Sequence, residues 1–341
     1  MALAGLSAVF LFEMLDNSIL NVALPTIGRE LHASTTALQW VTGAYAVVFG
    51  GLMLAFGAMA DRFGRRRVML VGLVLLGVAS LATGFVTTAG QLIAVRAAMG
   101  IAAAMTTPGS MALAFRLFAE DGLRVRATTL ITTVGLVGLA IGPTMGGLVL
   151  AIAPWQVLLL VNVPIAALAA VGVRIGIAAD EAADLHPDPL DVAGAVLGTA
   201  TIVPALVAPT LFVDRGADAW LPWAVTAAAV VAGILFVLRE RSAPHPLLDL
   251  ALVARPLVSS GLAYKAAAGL ATAGLGYLVT LQLQLAWGGA PASPPSGCCR
   301  RSSSSSRAAR SSARSCSGSA STGRPGSAPQ RSCAGSPSTV C

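Results

Sequence analysis

The chain has 341 residues, of which 56% are hydrophobic and only 11% are charged. A soluble globular domain carries about 25% charged residues, so this composition excludes a water-soluble fold with an ordinary polar surface. The formal net charge of +7 would suit nucleic acid as a partner, but acidic and basic residues are equal in number up to Trp287 and the whole excess follows it. We therefore expect a membrane protein whose partner is the lipid bilayer, with no nucleic acid.

Several apolar runs reach the roughly 20 residues that cross the hydrocarbon core of a bilayer. Backbone polar groups inside lipid must bond to one another, so the spans are helices or a closed barrel. The runs are continuous and do not alternate, which favours helices. The predicted spans are Leu3–Pro25, Ala37–Ala60, Val68–Thr88, Gln91–Phe115, Ala127–Ile152, Gln156–Ile175, Asp191–Val213, Trp220–Leu238 and Leu257–Leu278.

Arginine is distributed unevenly between the loops, and cytoplasmic loops carry the excess of Lys and Arg. If helix one starts in the cytoplasm, the outer loops hold only Arg29 and Arg215. The inner loops then hold Arg62, Arg65, Arg66, Arg67, Arg116, Arg124, Arg126, Arg174, Arg239, Arg241 and Arg255. We therefore predict a multi-pass protein of the plasma (inner) membrane, with the start of helix one on the cytoplasmic side. That helix lacks the charged start and cleavage site of a signal peptide.

The first helix carries a carboxylate in mid-span, within the string Leu15-Asp16-Asn17-Ser-Ile-Leu-Asn21-Val-Ala-Leu-Pro25. An ionisable group at that depth is costly and is a functional candidate by default. Asn17 and Asn21 are four residues apart and share a helix face, and Tyr45 follows in helix two. These three polar residues are candidates for a cavity lining, with a polar contact between helices as the alternative.

The loop between helices two and three reads Gly57-Ala-Met-Ala-Asp61-Arg62-Phe-Gly64-Arg65-Arg66-Arg67. Glycine permits a tight turn, and Asp61 can pair with a cation or lie near a helix N-terminus. Simple anchoring by positive charge is the alternative. Glu120 and Asp121 of the next inner loop are candidate partners for the arginines. The residues that the spacing G-x-x-x-D-R-x-G-R-R selects are Gly57, Asp61, Arg62, Gly64, Arg65 and Arg66.

Helix four contains Arg96, within the string Arg96-Ala-Ala-Met-Gly100. At 1.5 Å per residue, Arg96 lies about 7 Å below the outer end of its helix, and Asp16 about 13 Å below the outer end of helix one. The long arginine side chain bridges that offset if the two helices pack together. The alternative is an arginine that extends to the outer interface.

Helix five contains the string Gly138-Leu-Ala-Ile-Gly142-Pro143-Thr-Met-Gly146-Gly147. Small residues every four positions let helices approach closely, and a proline inside a helix removes one hydrogen bond and bends it. Ordinary small-residue packing is the alternative, although the order G-x-x-x-G-P-x-x-G-G is more demanding.

These four strings resemble signature sequences of the major facilitator superfamily, in particular its fourteen-helix drug:proton antiporter family. The resemblance runs from about Leu11 to Trp287. It implies an all-α, polytopic membrane helical bundle in which about nine of an expected fourteen transmembrane helices are present. It also implies that Asp16 and Arg96 serve in proton coupling, that the loop after Gly57 latches two halves of the protein on the cytoplasmic side, and that the helix-five string is an antiporter motif.

The resemblance divides the chain into an N-terminal six-helix bundle (1–176), two linker transmembrane helices with their loops (177–256), the first helix of a second bundle (257–287) and a tail (288–341). The tail has no Leu, Ile, Phe or Tyr and holds all five cysteines. Such a composition predicts disorder. A frameshift in a GC-rich gene is the preferred explanation of the tail, and a basic arm for anionic lipids or a natural linker are the alternatives.

The function that the resemblance implies is proton-coupled efflux (antiport) of amphipathic small molecules or drugs by alternating access. Small amphipathic substrates and protons are then the partners, the proton gradient is the energy source, and no cofactor is expected. A non-functional truncated transporter fragment and a non-transporting membrane sensor or scaffold with the same fold are the alternatives. An enzyme is not expected, because no phosphate-binding loop follows a strand, no serine has a nearby His base and no metal-ligand spacing is present.

Overall fold

The structure, a computed structural model, describes residues 1–118, 120–180, 191–244, 246–248 and 250–286, with side chains described up to residue 271. Over these ranges the regular elements are helices. The helices are α1 (Ala2–Glu30), α2 (Thr35–Phe63), α3 (Arg65–Ala82), α4 (Ala89–Leu117), α5 (Asp121–Ile152), α6 (Gln156–Leu160), α7 (Asn162–Gly176), α8 (Val192–Arg215), α9 (Trp220–Ser242), α10 (Leu250–Val253) and α11 (Pro256–Ala286).

Among the described residues, eight helical segments are long and apolar enough to cross a membrane. They correspond to the first eight predicted spans, and α6 and α7 together form the sixth. The ninth predicted span, Leu257–Leu278, falls within α11, and its side chains beyond residue 271 lie outside the described part of the chain. The predicted all-α membrane bundle is thereby confirmed, and the protein is a multi-pass integral membrane protein.

Short polar side chains mark where two of the helices begin. The Ser34 hydroxyl accepts a hydrogen bond from the backbone N–H of Ala37 (3.2 Å) at the start of α2. At the start of α4, Thr88 and Gln91 form a reciprocal capping box. These contacts satisfy N–H groups that have no partner within the first turn of a helix.

The sixth span is divided, since α6 ends at Leu160 and α7 begins at Asn162. Pro164 explains the division, because it lacks the N–H that would bond to the carbonyl of Leu160 in an unbroken helix. The interruption places Asn162 in the first turn of α7, where its side chain is buried and turned towards α1.

Helix α1 is the best-buried element of the compact unit Met1–Ser259, together with α4. It packs against α5 and α7 and also contacts α4, while α2 and α3 pack on α4. The outward faces stay apolar, and Val71, Val74 and Val78 of α3 are all exposed. Such side chains are suited to contact with lipid tails, because the tails and the side chains are equally apolar.

The linker helices α8 and α9 pack on each other, and α8 also packs on α2. The Thr199 hydroxyl of α8 donates to the carbonyl of Gly51 in α2 (2.9 Å). The predicted six-helix bundle ends at residue 176, where α7 also ends, but both linker helices belong to the same compact unit as the bundle. The domain division therefore stays a prediction, and the tail (288–341) lies outside the described residues.

Asp191 links the start of α8 to the end of α9. Its carboxylate accepts hydrogen bonds from the backbone N–H of Gly194 (3.0 Å) and from Nη2 and Nε of Arg239 (3.1 and 3.2 Å). The hydrogen bond from Arg239 is the main reason why the pKa of Asp191 lies below its ordinary value of 3.8; partial burial opposes the shift, and the Gly194 N–H adds to it.

Two substitutions at Asp191 distinguish the contribution of the helix cap from that of the ion pair with Arg239. Asp191→Asn keeps a capping oxygen and loses the charge, whereas Asp191→Ala loses both. We expect Asp191→Ala to reduce the free energy of unfolding by about 1 kcal/mol through the lost cap, and Asp191→Asn to reduce it by less, since half-exposed ion pairs contribute about 0–1 kcal/mol. Thermal unfolding in detergent measures both.

The effect of Asp191→Asn depends on pH in a defined direction. Because the folded-state pKa is lowered, the ion pair stabilises the fold fully above the ordinary value of 3.8 and loses its effect as the pH falls below that value. The difference in melting temperature between wild type and Asp191→Asn should therefore shrink in acid. A difference that stays constant from neutral pH into this acid range contradicts the assignment.

Candidate functional site

The candidate site is a buried ion pair in the middle of the bundle. Asp16 is the middle residue of the 29-residue helix α1, and Arg96 lies in α4. The two residues are 1% and 0% exposed. Nη1 of Arg96 donates to Oδ2 of Asp16 at 2.5 Å. Arg96 therefore extends to α1 and not to a membrane interface.

Two further helices complete the surroundings of the pair. Nδ2 of Asn162 in α7 donates to Oδ1 of Asp16 (2.8 Å), so both carboxylate oxygens have a donor. Nε of Arg96 donates to the carbonyl of Val41 in α2 (3.3 Å), and its guanidinium carbon lies 4.6 Å from the centre of the Tyr45 ring. Four helices thus meet at one ion pair.

The ion pair links the charge of Asp16 to helix packing. Two charges removed from water are stable only if they pair with each other and find further hydrogen bonds. Here both carboxylate oxygens and two of the three guanidinium nitrogens have a partner, whereas Nη2 of Arg96 has none among the described residues. A proton on Asp16 cancels one charge and leaves the Arg96 guanidinium positive in a site of low dielectric constant. The arrangement can therefore convert proton occupancy on α1 into a change in the contact energy between α1 and α4.

The predicted cavity residues divide into two groups. Tyr45 is 2% exposed and contacts Arg96, while its hydroxyl has no hydrogen-bond partner among the described residues. Asn17 and Asn21 are exposed on α1. Nδ2 of Asn17 donates to the carbonyl of Glu13 in its own helix (3.0 Å). The structure thus brings Tyr45 to the ion pair and leaves both asparagines away from it, so their place in a cavity lining stays a prediction.

Two buried polar residues, one in this site and one three residues before Asp16 on α1, were not predicted from the sequence. Asn162 was not selected, although a lone amide in an apolar span is a usable signal. Glu13 was also overlooked, although it is a second carboxylate within the span of α1. It is 9% exposed and accepts a hydrogen bond from the Thr107 hydroxyl of α4 (3.3 Å).

The loop between α2 and α3 forms a separate polar cluster. Nε of Arg65 donates to Oδ1 of Asp61 at 2.6 Å, and the Arg62 guanidinium carbon lies 5.8 Å from the centre of the Phe63 ring. Gly64 joins the two helices with a φ of 104°, a conformation that residues with a Cβ rarely adopt. The predicted loop thus makes a tight connection at Gly64, whereas a Cβ at Gly57 would meet nothing within 4 Å.

A carboxylate that follows α7 holds the start of α3. The backbone N–H groups of Arg66 and Arg67 donate to Oδ1 and Oδ2 of Asp180 (3.3 and 3.2 Å), and Nη1 of Arg116 lies 3.9 Å from Oδ1. An acid at a helix N-terminus is stabilising because it meets unpaired N–H groups and the positive end of the dipole. Asp121, one predicted partner of the loop, pairs with Arg124 of its own helix instead (3.2 Å).

The helix-five glycines are the surface on which α1 rests. A Cβ at Gly138 would lie 2.8 Å from Cδ1 of Leu11, and one at Gly142 would lie 2.5 Å from Cβ of Ser18. Gly146 also faces α1, at ordinary van der Waals distance. The Ser18 hydroxyl donates to the carbonyl of Leu139 (2.8 Å). By contrast, Pro143 and Gly147 are exposed, and α5 continues through Pro143.

Comparison with known proteins identifies the family. The family model described as Major Facilitator Superfamily matches residues 6–292. The chain belongs to the major facilitator superfamily. The predicted family is thereby confirmed, and the helical membrane bundle described above is consistent with it.

Curated relatives in this superfamily are drug resistance and export proteins by name. The chain is 37% identical to the puromycin resistance protein pur8 of Streptomyces alboniger, over 72% of this chain and 48% of that protein. It is 33% identical to the multidrug efflux pump LfrA of Mycolicibacterium smegmatis, over 85% and 57%. It is 35% identical to the cephamycin export protein CmcT of Amycolatopsis lactamdurans, over 79% and 56%. The chain spans about half the length of these relatives.

The close approach of α1 to α5 at Gly142 can be tested directly by substitution. Gly142→Val should force α1 and α5 apart and reduce the free energy of unfolding by about 1–3 kcal/mol, the usual cost of overpacking. Gly147→Val is the matched control, because a Cβ there meets nothing within 4 Å. Melting temperatures of the two purified variants in detergent test this, and an equal loss in both contradicts the close approach at Gly142.

The ion pair makes a second prediction. Asp16→Asn or Arg96→Gln leaves one uncompensated buried charge, so each should reduce the free energy of unfolding by roughly 3–5 kcal/mol. The double variant should recover part of that loss, because it removes both charges together. Thermal unfolding of all four proteins gives the coupling energy, and strictly additive losses mean that the two groups do not interact.

Proposed function

We propose that the protein is a proton-coupled exporter of amphipathic small molecules or drugs, an antiporter that works by alternating access. The observation that carries this proposal is the fully buried Asp16–Arg96 pair in the middle of the bundle. An ion pair at that depth is costly and is expected where protons or ions cross. The names of the curated relatives, which describe drug resistance and export, support drugs as the substrate class.

Proton binding at Asp16 is the coupling step of the proposed mechanism. The neutral carboxyl group no longer carries the charge that balances the Arg96 guanidinium, so the Coulomb attraction between the two groups is lost. The guanidinium then favours any packing that offers it a new acceptor or water. Proton occupancy therefore biases the equilibrium between two arrangements of α1 and α4, as population shift requires.

The proposed direction is export from the cytoplasm across the plasma membrane. The arginine distribution supports a cytoplasmic start of α1, and the resemblance of the α5 string to an antiporter motif supports exchange. The Asp61–Arg65 loop and the Asp180 cap then form the cytoplasmic latch. The proton gradient is the energy source, and the mechanism needs neither an enzyme's active site nor a cofactor.

Inverted membrane vesicles that contain the full chain test this proposal. When the vesicle interior is acidified, vesicles with the wild-type chain should accumulate ethidium, and collapse of the gradient with nigericin should stop the uptake. Asp16→Asn and Arg96→Gln should each reduce gradient-driven uptake at least tenfold. Glu30→Gln is the matched control, because Glu30 is an exposed acid on the same helix.

Two results would overturn the proposal. Unchanged uptake in both charge-neutralised variants rules out the ion pair as the coupling site. No gradient-driven uptake by a correctly folded wild-type chain rules out an exporter and favours a sensor, a scaffold or a non-functional fragment. Folding is checked by the melting temperature of the same preparations.

A further inference from the structure

An apolar groove of about 760 Å³ lies between α2 and the linker helices α8 and α9. Its wall includes Leu52, Phe56 and Met59 of α2, Val196 and Val203 of α8, and Ala228 of α9. None of the residues that contact the Asp16–Arg96 pair lines it, so it is separate from the candidate site. Val192 and Val196 are about 60% exposed, and the groove therefore opens to the outside of the unit Met1–Ser259.

The wall of the groove offers no free polar side chain. Thr199 is the one polar residue that lines it. The Thr199 hydroxyl lies 2.9 Å from the carbonyl oxygens of both Gly51 and Ala195, so its hydrogen-bonding capacity is already used. An occupant is therefore held along this wall by the burial of apolar surface.

The groove is about as long as one leaflet of a bilayer. At its inner end α2 and α8 touch, because a Cβ at Gly51 would overlap the Val203 side chain and one at Gly50 would lie 3.0 Å from Cδ1 of Leu206. From Val192 to Val203 the helix rises about 17 Å at 1.5 Å per residue. Half of the hydrocarbon core of a bilayer is roughly 15 Å thick.

The open end of the groove carries an accessible cation. Val192 begins the wall, and the residue before it, Asp191, pairs with Arg239 (3.1 Å). Arg239 follows the wall residue Ala232 by seven positions, two helical turns, and so lies on the same face of α9. The Arg239 side chain is 42% exposed, whereas the side chain of Asp191 is 6% exposed and Glu240 is 4% exposed. The positive charge at this end is thus accessible, and both neighbouring acids are covered.

The Arg239 guanidinium has a nitrogen left for a ligand. Its Nε and Nη2 donate to Asp191, while Nη1 has no hydrogen bond among the described residues. Guanidinium groups bind phosphate oxygens through such charge-assisted hydrogen bonds. A phosphate at the mouth of the groove would therefore meet an oriented donor.

The dimensions of the groove argue against a helix as its occupant. A helix with its side chains is about 10–12 Å wide, so a 17 Å length of it fills roughly 1,300 Å³ or more. The groove, at about 760 Å³, is too small to take in such a segment from a second copy of the chain. A lipid acyl chain is much thinner than a helix and carries no polar group that needs a partner.

We propose that this groove binds one anionic phospholipid, with an acyl chain along α2, α8 and α9 and the headgroup phosphate on Arg239. The arginine distribution places the lipid in the cytoplasmic leaflet. This choice of leaflet rests on the orientation proposed above, whereas the class of lipid rests on the groove and its mouth. The site is independent of proton coupling at Asp16.

Native mass spectrometry of the purified full chain in detergent tests the inference. The probes are dioleoyl-phosphatidylglycerol, which is anionic, and dioleoyl-phosphatidylcholine, which has the same chains and no net charge. The first phosphatidylglycerol should bind to wild type about fivefold more tightly than phosphatidylcholine, the effect of one arginine on an anionic lipid. The soluble headgroup glycerophosphoglycerol, which lacks acyl chains, should not displace it.

A matched pair of variants tests the position of the acyl chain. Ala200 is an exposed residue of the groove wall, so Ala200→Phe places a ring in the groove without overpacking the core. This variant should weaken binding of the first phosphatidylglycerol at least tenfold. Ala205→Phe is the control, because Ala205 is exposed on the same helix and does not line the groove, and it should match wild type.

A second pair of variants tests the headgroup contact. Asp191→Asn and Arg239→Gln break the same ion pair, but only the first leaves the guanidinium free for phosphate. Asp191→Asn should therefore tighten phosphatidylglycerol binding several-fold, and Arg239→Gln should weaken it about fivefold. Arg241→Gln is the control, since Arg241 is an exposed arginine about 200° away around α9 and should leave the affinity unchanged.

Four outcomes would overturn the inference. They are equal affinities of wild type for the two lipids, wild-type binding by Ala200→Phe, an equal loss in Ala205→Phe, and a shift in the same direction for Asp191→Asn and Arg239→Gln. A dimer that Ala200→Phe converts to a monomer would assign the groove to a second copy instead. Melting temperatures report folding, and the Asp191 and Arg239 pair still decides if Ala200→Phe is destabilised. Each of these results leaves the test of the exporter, gradient-driven ethidium uptake, unaffected.

Discussion

The bundle depends on one desolvated ion pair. Asp16 and Arg96 lie where water cannot reach them, so their stability requires that each remaining hydrogen-bonding group finds a partner. Asn162 and the carbonyl of Val41 meet that requirement for Asp16 and for Nε of Arg96, and the Tyr45 ring covers the guanidinium, whose Nη2 has no hydrogen-bond partner among the described residues. The partners come from two further helices, α7 and α2. The constraint that keeps the pair stable therefore also fixes how α2, α4 and α7 meet α1.

Several ordinary sequence features support this geometry. Pro164 interrupts the sixth span and so places Asn162 in the first turn of α7. Glycines of α5 let α1 approach the backbone of its neighbour. At the far end of the bundle, Asp180 caps α3 and thereby ties the end of α7 to the α2–α3 connection. Each feature acts on the position of a helix, and the helices in turn position the charged groups.

The sequence predicted the spans well, because a bilayer allows only continuous apolar helices of sufficient length. It also selected Asp16 and Arg96, since charges are rare in such runs. The Val41 carbonyl could not be predicted, because a backbone group has no sequence signal. Asp180 could not be singled out either, since it stands near other acids in one loop. Glu13 could have been found by the argument that found Asp16. Whether Asn17 lines a cavity or packs against another helix cannot be decided without knowing the orientation of α1 in the bundle.

The glycine surface of α5 has a mechanical consequence. Interdigitated side chains resist axial sliding, because each ridge must leave its groove before the next position is reached. Along Gly138, Gly142 and Gly146 there are few ridges to cross, so translation of α1 on this flank meets a small barrier. The hydrogen bond from the Ser18 hydroxyl to the carbonyl of Leu139 is a specific contact that favours one axial position of α1 relative to α5. On this flank, the helix that bears both buried carboxylates thus packs on a smooth glycine surface, and the Ser18 hydrogen bond is a specific contact that sets its axial position.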